Sequence, residues 1–166
     1  VMINDLRTDL PLYKYVDDCT IYEVVSKAEP SILQNELNKI SEWTDSNNMK
    51  INVTKTKELS VSFLKNSPPA NRLTVNNQSL DSVRSSKLLG VNLSTDLKWS
   101  IHIDEICARA SKRLYALRTL KRSGVPPTDL RSVYCYFIRP LLEYACPVWH
   151  SSLTCTLNNQ LEDIQR

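Results

Sequence analysis

Two adjacent carboxylates, Asp17 and Asp18, lie between two short runs of strand-forming residues, and this arrangement constrains the fold more than any other feature. Tyrosine and valine dominate residues 13–16, and threonine, isoleucine and tyrosine occupy 20–22. Two such runs separated by a short polar stretch are typical of a β-hairpin. The sequence therefore predicts a tight hairpin over residues 12–25, with both carboxylates at or beside its turn.

The chemistry of this pair has two interpretations. Adjacent carboxylates repel each other, and a bound cation would offset their charge. Mg²⁺ prefers oxygen ligands of this type and keeps its other positions for water and phosphate oxygens. The functional interpretation is a phosphoryl-transfer metal site at the hairpin tip, with Asp17 and Asp18 as ligands. The alternative is a polar turn, because aspartate side chains bond readily to turn backbone.

The composition is that of one ordinary globular domain. The 166 residues are 42% hydrophobic and 23% charged, and we find neither a membrane span nor a signal peptide. The five cysteines are odd in number and include no Cys-x-x-Cys pair, which predicts reduced thiols in an intracellular protein. With only two glycines and a start at Val1, the sequence is predicted to be a fragment of a longer protein.

The first part of the chain mixes both kinds of secondary structure. Hydrophobic spacing, prolines and asparagine pairs set the element boundaries. The predicted elements are a helix tail over 1–11, the hairpin 12–25, a helix over 31–46, a half-buried strand 58–64, a loop at 67–69, a second hairpin over 72–83 turning at Asn76-Asn77, and a further strand 87–93.

The second part is predicted to be all helical from a boundary near Lys98. One helix spans about 101–122 and is stopped by Gly124, a second follows Pro126-Pro127 and is interrupted at Pro140, and a third begins near 156. The first of these carries six basic side chains and no acid between residues 109 and 122. The fold class is therefore α+β, with the mixed part first and the helical part second.

Four short motifs follow one another along the chain. Residues 15–18 are Tyr-Val-Asp-Asp, and 52–56 are Asn-Val-Thr-Lys-Thr. Residues 88–91 are Leu-Leu-Gly-Val and lead to Trp99, while 139–149 are Arg-Pro-Leu-Leu-Glu-Tyr-Ala-Cys-Pro-Val-Trp. In this order the motifs resemble the reverse transcriptases of non-LTR retrotransposons, of the jockey-like kind. There they form the palm hairpin, the segment after it, the primer-grip strand and a recurrent phrase of the thumb region. The resemblance covers nearly the whole chain.

The resemblance implies a partial polymerase palm over residues 1–98, an antiparallel sheet with a packed helix, and an all-α thumb over 99–166. It implies RNA-directed DNA synthesis with Mg²⁺ and deoxynucleoside triphosphates on an RNA template and a DNA primer. This synthesis would take place in the nucleus when the element copies its RNA at a nicked genomic target. The family's first catalytic aspartate lies far upstream of its Tyr-x-Asp-Asp motif, and Asp5 and Asp9 cannot replace it. We therefore expect half an active site, inactive alone.

Site residues follow from the same resemblance. Asp17 is expected to bind metal directly, with Asp18 as a weaker ligand or one held behind it. Lys55 is expected near the leaving pyrophosphate, where it could donate a proton; the alternative is an exposed loop lysine, and Lys57 competes for the role. Tyr15 and Val16 are expected beside the primer terminus, or simply pack in their strand.

Two further groups are expected to contact nucleic acid. Gly90 interrupts a predicted strand, which marks a close backbone approach, either by the primer or by a neighbouring helix. Arg109, Lys112 and Arg113 lie off the apolar stripe of the long helix (Ile106, Ala110, Leu114, Leu117 and Leu120) and are expected to contact phosphates. An ordinary solvated face is the alternative.

Other sites and functions fit the sequence less well. Cys146, His150 and Cys155 lack the spacing of a zinc site, and His102 is expected to cap or pack. A non-catalytic nucleic-acid-binding relic of a retroelement remains the alternative function. An RNA-templated RNA polymerase shares the acidic hairpin, but residues 88–91 and 139–144 argue against it.

Overall fold

A computed structural model describes residues 3–26, 30–64 and 72–165. The fold is α+β and divides into two compact units: the first comprises Val1–Ser60 and Leu64–Val83, the second Val61–Phe63 and Arg84–Arg166. The division therefore lies before the segment predicted as the primer-grip strand, rather than near Lys98. No helix in the described ranges has the length and apolarity needed to cross a membrane.

The first unit contains the predicted acidic hairpin. Strands β1 (Leu12–Tyr15) and β2 (Asp18–Ile21) pair antiparallel, with Leu12 opposite Ile21 and Tyr15 opposite Asp18. Tyrosines, isoleucine and threonine favour this extended backbone, and the carboxylates lie at its tip. The prediction of a hairpin at this position is confirmed.

The residues before the hairpin do not form the predicted helix tail. Residues 3–11 form a turn and a bend without regular secondary structure, with Leu6 buried at 4% exposure. The Lys14 ammonium takes three backbone carbonyls of this segment as acceptors, those of Ile3, Asn4 and Leu6. Carbonyls that bond to a side chain from another element are not available to a helical ladder, which explains why the helix prediction was wrong here.

Helix α1 (Leu33–Ser46) is confirmed and provides one wall of the core of the first unit. Its Leu37 is buried with Leu73, Val75 and Leu80. Glu36, only 2% exposed, accepts the backbone N–H of Asp9 at 2.8 Å and a bond from Lys39 at 2.6 Å. This buried carboxylate is thereby paired and also fastens residue 9 to the helix.

The strands behind α1 are shorter than predicted. β4 (Thr74–Val75) and β5 (Gln78–Ser79) form the second hairpin, in which both Asn76 and Asn77 have positive φ; β3 (Lys57–Glu58) pairs parallel with β6 (Asp81–Ser82). The predicted strand 58–64 is wrong beyond Glu58, and Phe63 is 78% exposed. Each sheet among the described residues has two strands, and α1 packs against β4 of the small antiparallel pair formed by β4 and β5. The predicted loop at 67–69 lies outside the described residues.

The second unit opens with a hairpin where a single strand was predicted over 87–93. β7 (Ser85–Leu88) and β8 (Val91–Ser94) pair antiparallel around a turn at Leu89 and Gly90. Both turn residues have positive φ, 45° and 86°, as a two-residue hairpin turn of type I′ requires. The glycine therefore reverses the chain rather than interrupting a continuous strand.

Helices complete the second unit. α2 (Ser100–Arg122) is followed by Gly124, as predicted. The N–H of Gly124 donates to the Lys121 carbonyl and that of Val125 to the Leu120 carbonyl, which is the pair of hydrogen bonds of a Schellman motif. The helix predicted to be interrupted at Pro140 is α3, a π-helical segment and α4 in succession. These and the remaining elements are α3 (Pro127–Val133), the π-helical segment (Tyr134–Ile138), α4 (Arg139–Glu143), α5 (Cys146–Trp149), a 3₁₀ turn (His150–Ser152) and α6 (Cys155–Gln165).

The core of the second unit lies between α2 and the later helices. Ile103, Ala110 and Trp149 are almost fully buried there, and His102 packs edge-on against Trp99 and Trp149. The His102 side chain accepts a bond from the Asn92 N–H at 3.4 Å, while its Nε2 has no partner within the described part. His102 is thus a packing residue, as expected from the sequence.

Candidate functional site

The tip of the acidic hairpin is a strained two-residue turn. Because Tyr15 pairs with Asp18, Val16 and Asp17 occupy its two central positions. Val16 has φ of 57° and is 77% exposed. A left-handed backbone costs a residue with a Cβ about 1–2 kcal/mol, and a β-branched residue adopts it rarely. Strain of this kind clusters at functional sites, and here it lies directly beside the carboxylates.

The two faces of the hairpin differ in character. Tyr15 and Asp18 share one face with Tyr13 and Tyr22, whose rings stack at 6.0 Å. This face is exposed: Tyr13 by 64% and Tyr15 by 63%. Lys14 lies on the opposite face, where its ammonium is held by three carbonyls. Lys14 is the one cationic residue of β1 and β2. Because its ammonium bonds to these carbonyls, it forms no ion pair with Asp17 or Asp18.

The carboxylates of Asp17 and Asp18 are exposed, and neither has an ion pair or hydrogen bond among the described residues. Partial burial raises the pKa of the Cys19 thiol, the charge of Lys14 opposes this, and the carboxylates of Asp18 and Asp17 add to the rise. Two uncompensated carboxylates suit the oxygen chemistry that Mg²⁺ prefers. No group of three or more His, Cys, Asp or Glu residues in residues 3–26, 30–64 and 72–165 is placed to hold a metal. The chemistry of the two carboxylates is compatible with Mg²⁺, and they would supply part of its coordination shell.

The second motif forms a compact turn organised by Asn52. Its side-chain oxygen accepts bonds from the Thr54 hydroxyl at 2.7 Å and the Lys55 N–H at 3.2 Å. Its backbone carbonyl accepts the Thr56 hydroxyl at 2.9 Å. Asparagine favours such turns because its side chain substitutes for backbone acceptors. The Asn-x-x-Lys-Thr pattern thereby fixes the backbone that presents Lys55.

The structure distinguishes the two lysines of this segment. Lys57 forms an ion pair with Asp81 at 2.6 Å, and this cation lowers the pKa of the Asp81 carboxyl. The Lys55 side chain is exposed and has no polar contact within the described residues. Of the two, Lys55 is the one whose ammonium is available to a ligand.

Gly90 is approached closely by a side chain of its own unit. A Cβ at this position would lie 3.1 Å from Cε1 of Tyr144, and the Tyr144 hydroxyl donates to the Leu89 carbonyl at 2.8 Å. The turn conformation and this aromatic ring together account for a glycine here. Contact between Gly90 and a primer stays a prediction.

The basic residues of α2 have different surroundings. Arg109 lies 3.5 Å from Glu105, which also accepts bonds from Lys87 and Asn92 at 2.5 Å each; these contacts lower the pKa of the Glu105 carboxyl. Arg113 donates to the Phe137 carbonyl in the π-helical segment. Lys112 is exposed and makes no such contact in the described ranges. Of the three predicted phosphate ligands, Lys112 is the least committed.

The six cations of α2 do not form one patch. A helix turns about 100° per residue, so Arg118 projects from the side opposite Arg109. Arg109, Lys112 and Arg113 share one side, and Arg118, Lys121 and Arg122 lie round the other. This division could have been obtained from the sequence, as could the Glu105–Arg109 pair at i and i+4. The approach of Tyr144 to Gly90 could not, because 54 residues separate them.

Comparison with known proteins adds no assignment. No protein-family model, curated protein or solved structure matches this chain. Its function must therefore be inferred from its own residues and their geometry.

Proposed function

We propose that this chain is part of an RNA-directed DNA polymerase of the non-LTR retrotransposon type. The reaction is transfer of a nucleotide from a deoxynucleoside triphosphate to a primer 3′-hydroxyl, directed by an RNA template. One observation carries the proposal: two adjacent carboxylates without a cation partner occupy a hairpin tip strained at Val16. A polar turn alone would need neither the second carboxylate nor the strain.

Asp17 and Asp18 would hold Mg²⁺, which supplies neutralisation of the charge that develops on phosphate oxygens. Tyr15 and the exposed hairpin face would lie beside the primer terminus. Lys55, held by the Asn52 turn with its ammonium uncommitted, would lie near the leaving pyrophosphate and donate a proton to it. Since a two-ion centre needs a further carboxylate, the chain supplied alone should not extend a primer.

The helical unit would hold the primer–template duplex. Arg109, Lys112 and Arg113 share one side of α2, where phosphates can be contacted without reading bases. Lys112 is the strongest candidate because the other two have intramolecular partners. Replacing it should flatten the salt dependence of duplex affinity by about one phosphate contact, a change of about 0.9 in the logarithmic slope.

The direct test places residues 12–165 in an active polymerase of this type, in place of the corresponding segment, and measures primer extension. Asp17→Asn should abolish extension while leaving duplex affinity unchanged. Asp45→Asn is the control, since Asp45 is an exposed acid of α1 and its substitution changes charge equally. An active chimera in which Asp17→Asn retains extension would refute the assigned role of the hairpin.

A non-catalytic nucleic-acid-binding relic is the second candidate. It is favoured by the lack of any three-residue metal group in the described ranges. It predicts that the chimera binds duplex with the same salt dependence but never extends a primer, whatever residue occupies position 17.

A further inference from the structure

A groove lies between the last turns of α2 and helix α3, within the second unit. Its volume is about 630 Å³, and the lining comprises Leu117, Arg118, Lys121, Val125, Pro127, Leu130, Arg131 and Tyr134. The Schellman motif at Gly124 ends α2, and α3 begins three residues later at Pro127. The volume is within the range of sites that take a ligand.

The groove combines an apolar floor with a basic rim. Leu117, Val125 and Leu130 lie in the floor and are each half-buried. Arg118, Lys121 and Arg131 are exposed, and their side chains make no ion pair or hydrogen bond within the described residues. No carboxylate lines the groove. The nearest acid on α3 in sequence, Asp129, contacts the Thr128 hydroxyl instead and is not part of the lining.

We propose that this groove binds an acidic amphipathic helix of a protein partner. Apolar side chains at i, i+3 or i+4 and i+7 would enter the floor, and flanking glutamates or aspartates would meet Arg118, Lys121 and Arg131. The three unpaired cations select negative charge, and the floor supplies apolar burial that a phosphate backbone cannot use. This binding is separate from the proposed polymerase function and does not depend on it.

The lining favours a peptide over a single nucleic-acid strand. Sites for single strands stack successive bases on several aromatic side chains. Here Tyr134 is the single aromatic residue of the lining, and the floor is otherwise aliphatic or proline. Aliphatic side chains pack against leucine or phenylalanine of a helix but give a base no stacking platform.

The test uses the full chain and a fluorescein-labelled synthetic helix of about 15 residues, long enough to be partly helical in water. Its leucines form one stripe and glutamates flank the stripe; a second peptide carries lysine for every glutamate. Anisotropy should show saturable binding of the acidic peptide and none of the basic one. Equal binding of both would overturn the charge selection.

A matched pair of double variants tests the location. Arg118→Gln with Lys121→Gln removes two groove cations, and Lys50→Gln with Arg122→Gln removes an exposed lysine and an exposed arginine that do not line the groove. The first pair should weaken acidic-peptide affinity about tenfold and the second less than about twofold. Equal losses would mean general attraction to positive charge on this chain and would contradict peptide binding in the groove.

Two further measurements exclude the competing occupant and test the floor. Leu130→Ala, checked for folding by circular dichroism, should weaken the peptide about fivefold; should that variant unfold, the glutamine pairs still decide the location. A thymidine oligonucleotide should not displace the peptide. Displacement that is lost in the Arg118→Gln, Lys121→Gln variant would assign the groove to nucleic acid and overturn the proposal.

Discussion

Gly90 and Gly124 offer a matched pair for separating backbone strain from a specific contact. Both have nearly the same positive φ, 86° and 84°, but an added Cβ meets Tyr144 at 3.1 Å in the first case and nothing within 4 Å in the second. Alanine substitution at each site therefore imposes the same conformational strain. Only Gly90→Ala also forces the Tyr144 ring to move.

The magnitudes follow from these surroundings. A left-handed backbone costs alanine about 1–2 kcal/mol, and the lower entropy of the unfolded alanine chain returns about 0.4–1 kcal/mol. Gly124→Ala should therefore destabilise by about 1 kcal/mol. In Gly90→Ala the ring must also shift while its hydroxyl bonds to the Leu89 carbonyl at 2.8 Å; loss of that bond costs about 0.5–1.5 kcal/mol. The total should be about 2 kcal/mol.

The assay is urea unfolding followed by tryptophan fluorescence in a Trp43→Phe background. The remaining two of the three tryptophans, Trp99 and Trp149, both belong to the second unit. In a further Tyr144→Ala background, the cost of Gly90→Ala should fall to that of Gly124→Ala, because coupling requires both partners. Equal costs of the two alanine substitutions in the Trp43→Phe background would refute the contact between Gly90 and Tyr144.

Other predictions concern the second unit. Burial lowers the pKa of His102 from its ordinary 6.5, so the unfolded chain takes up the proton first, and stability should fall as pH drops below that value, by up to about 1.4 kcal/mol per pH unit. His102→Phe should remove this slope in urea titrations between pH 7 and 5, whereas His150→Phe should keep it; an unchanged slope in the former contradicts the assignment. Arg113→Gln, which leaves the Phe137 carbonyl without this donor, should cost about 1 kcal/mol. The exposed Lys112→Gln should cost under about 0.5 kcal/mol in the same assay, and equal costs would contradict a structural role for Arg113.

Elements with strong local signals could be predicted from the sequence. The hairpin around Asp17 and Asp18 follows from strand formers on both sides of a short polar turn. Helix α2 has a sustained apolar stripe, and Gly124 is the one residue near its end that adopts the required left-handed backbone without strain. Such features depend on residues within a few positions of each other, which is why they can be predicted from a single sequence.

Elements that depend on distant partners could not be predicted. The segment 3–11 is held by the Lys14 ammonium and by Glu36 rather than by its own helical bonds. The hairpin at Leu89 places a leucine at positive φ, and the sequence there lacks the Asn-Gly pair that is typical of such turns. The strand expected over 58–64 finds a partner only at Lys57–Glu58. In each case tertiary contacts override the local pattern.

The candidate site shows the same division. The position of Asp17 and Asp18 at a hairpin turn depends on local residues and was predicted. The turn organised by Asn52 is also local but was not predicted. The strain at Val16 and the commitment of Lys14, Lys57 and Arg113 to other partners appear only in three dimensions. The sequence shows how many cations α2 carries, whereas the structure shows which of them have intramolecular partners.

The central claim is that the carboxylates of Asp17 and Asp18 form a site for divalent metal at the hairpin tip. Mn²⁺, which shares the oxygen-ligand preference of Mg²⁺, broadens the NMR signals of amides near its binding site. Titrated into the ¹⁵N-labelled chain, it should broaden the amides of residues 15–19 first, and Asp17→Asn should abolish this effect while Asp45→Asn leaves it unchanged. Broadening that begins elsewhere, or that persists at the hairpin in Asp17→Asn, would contradict the metal site.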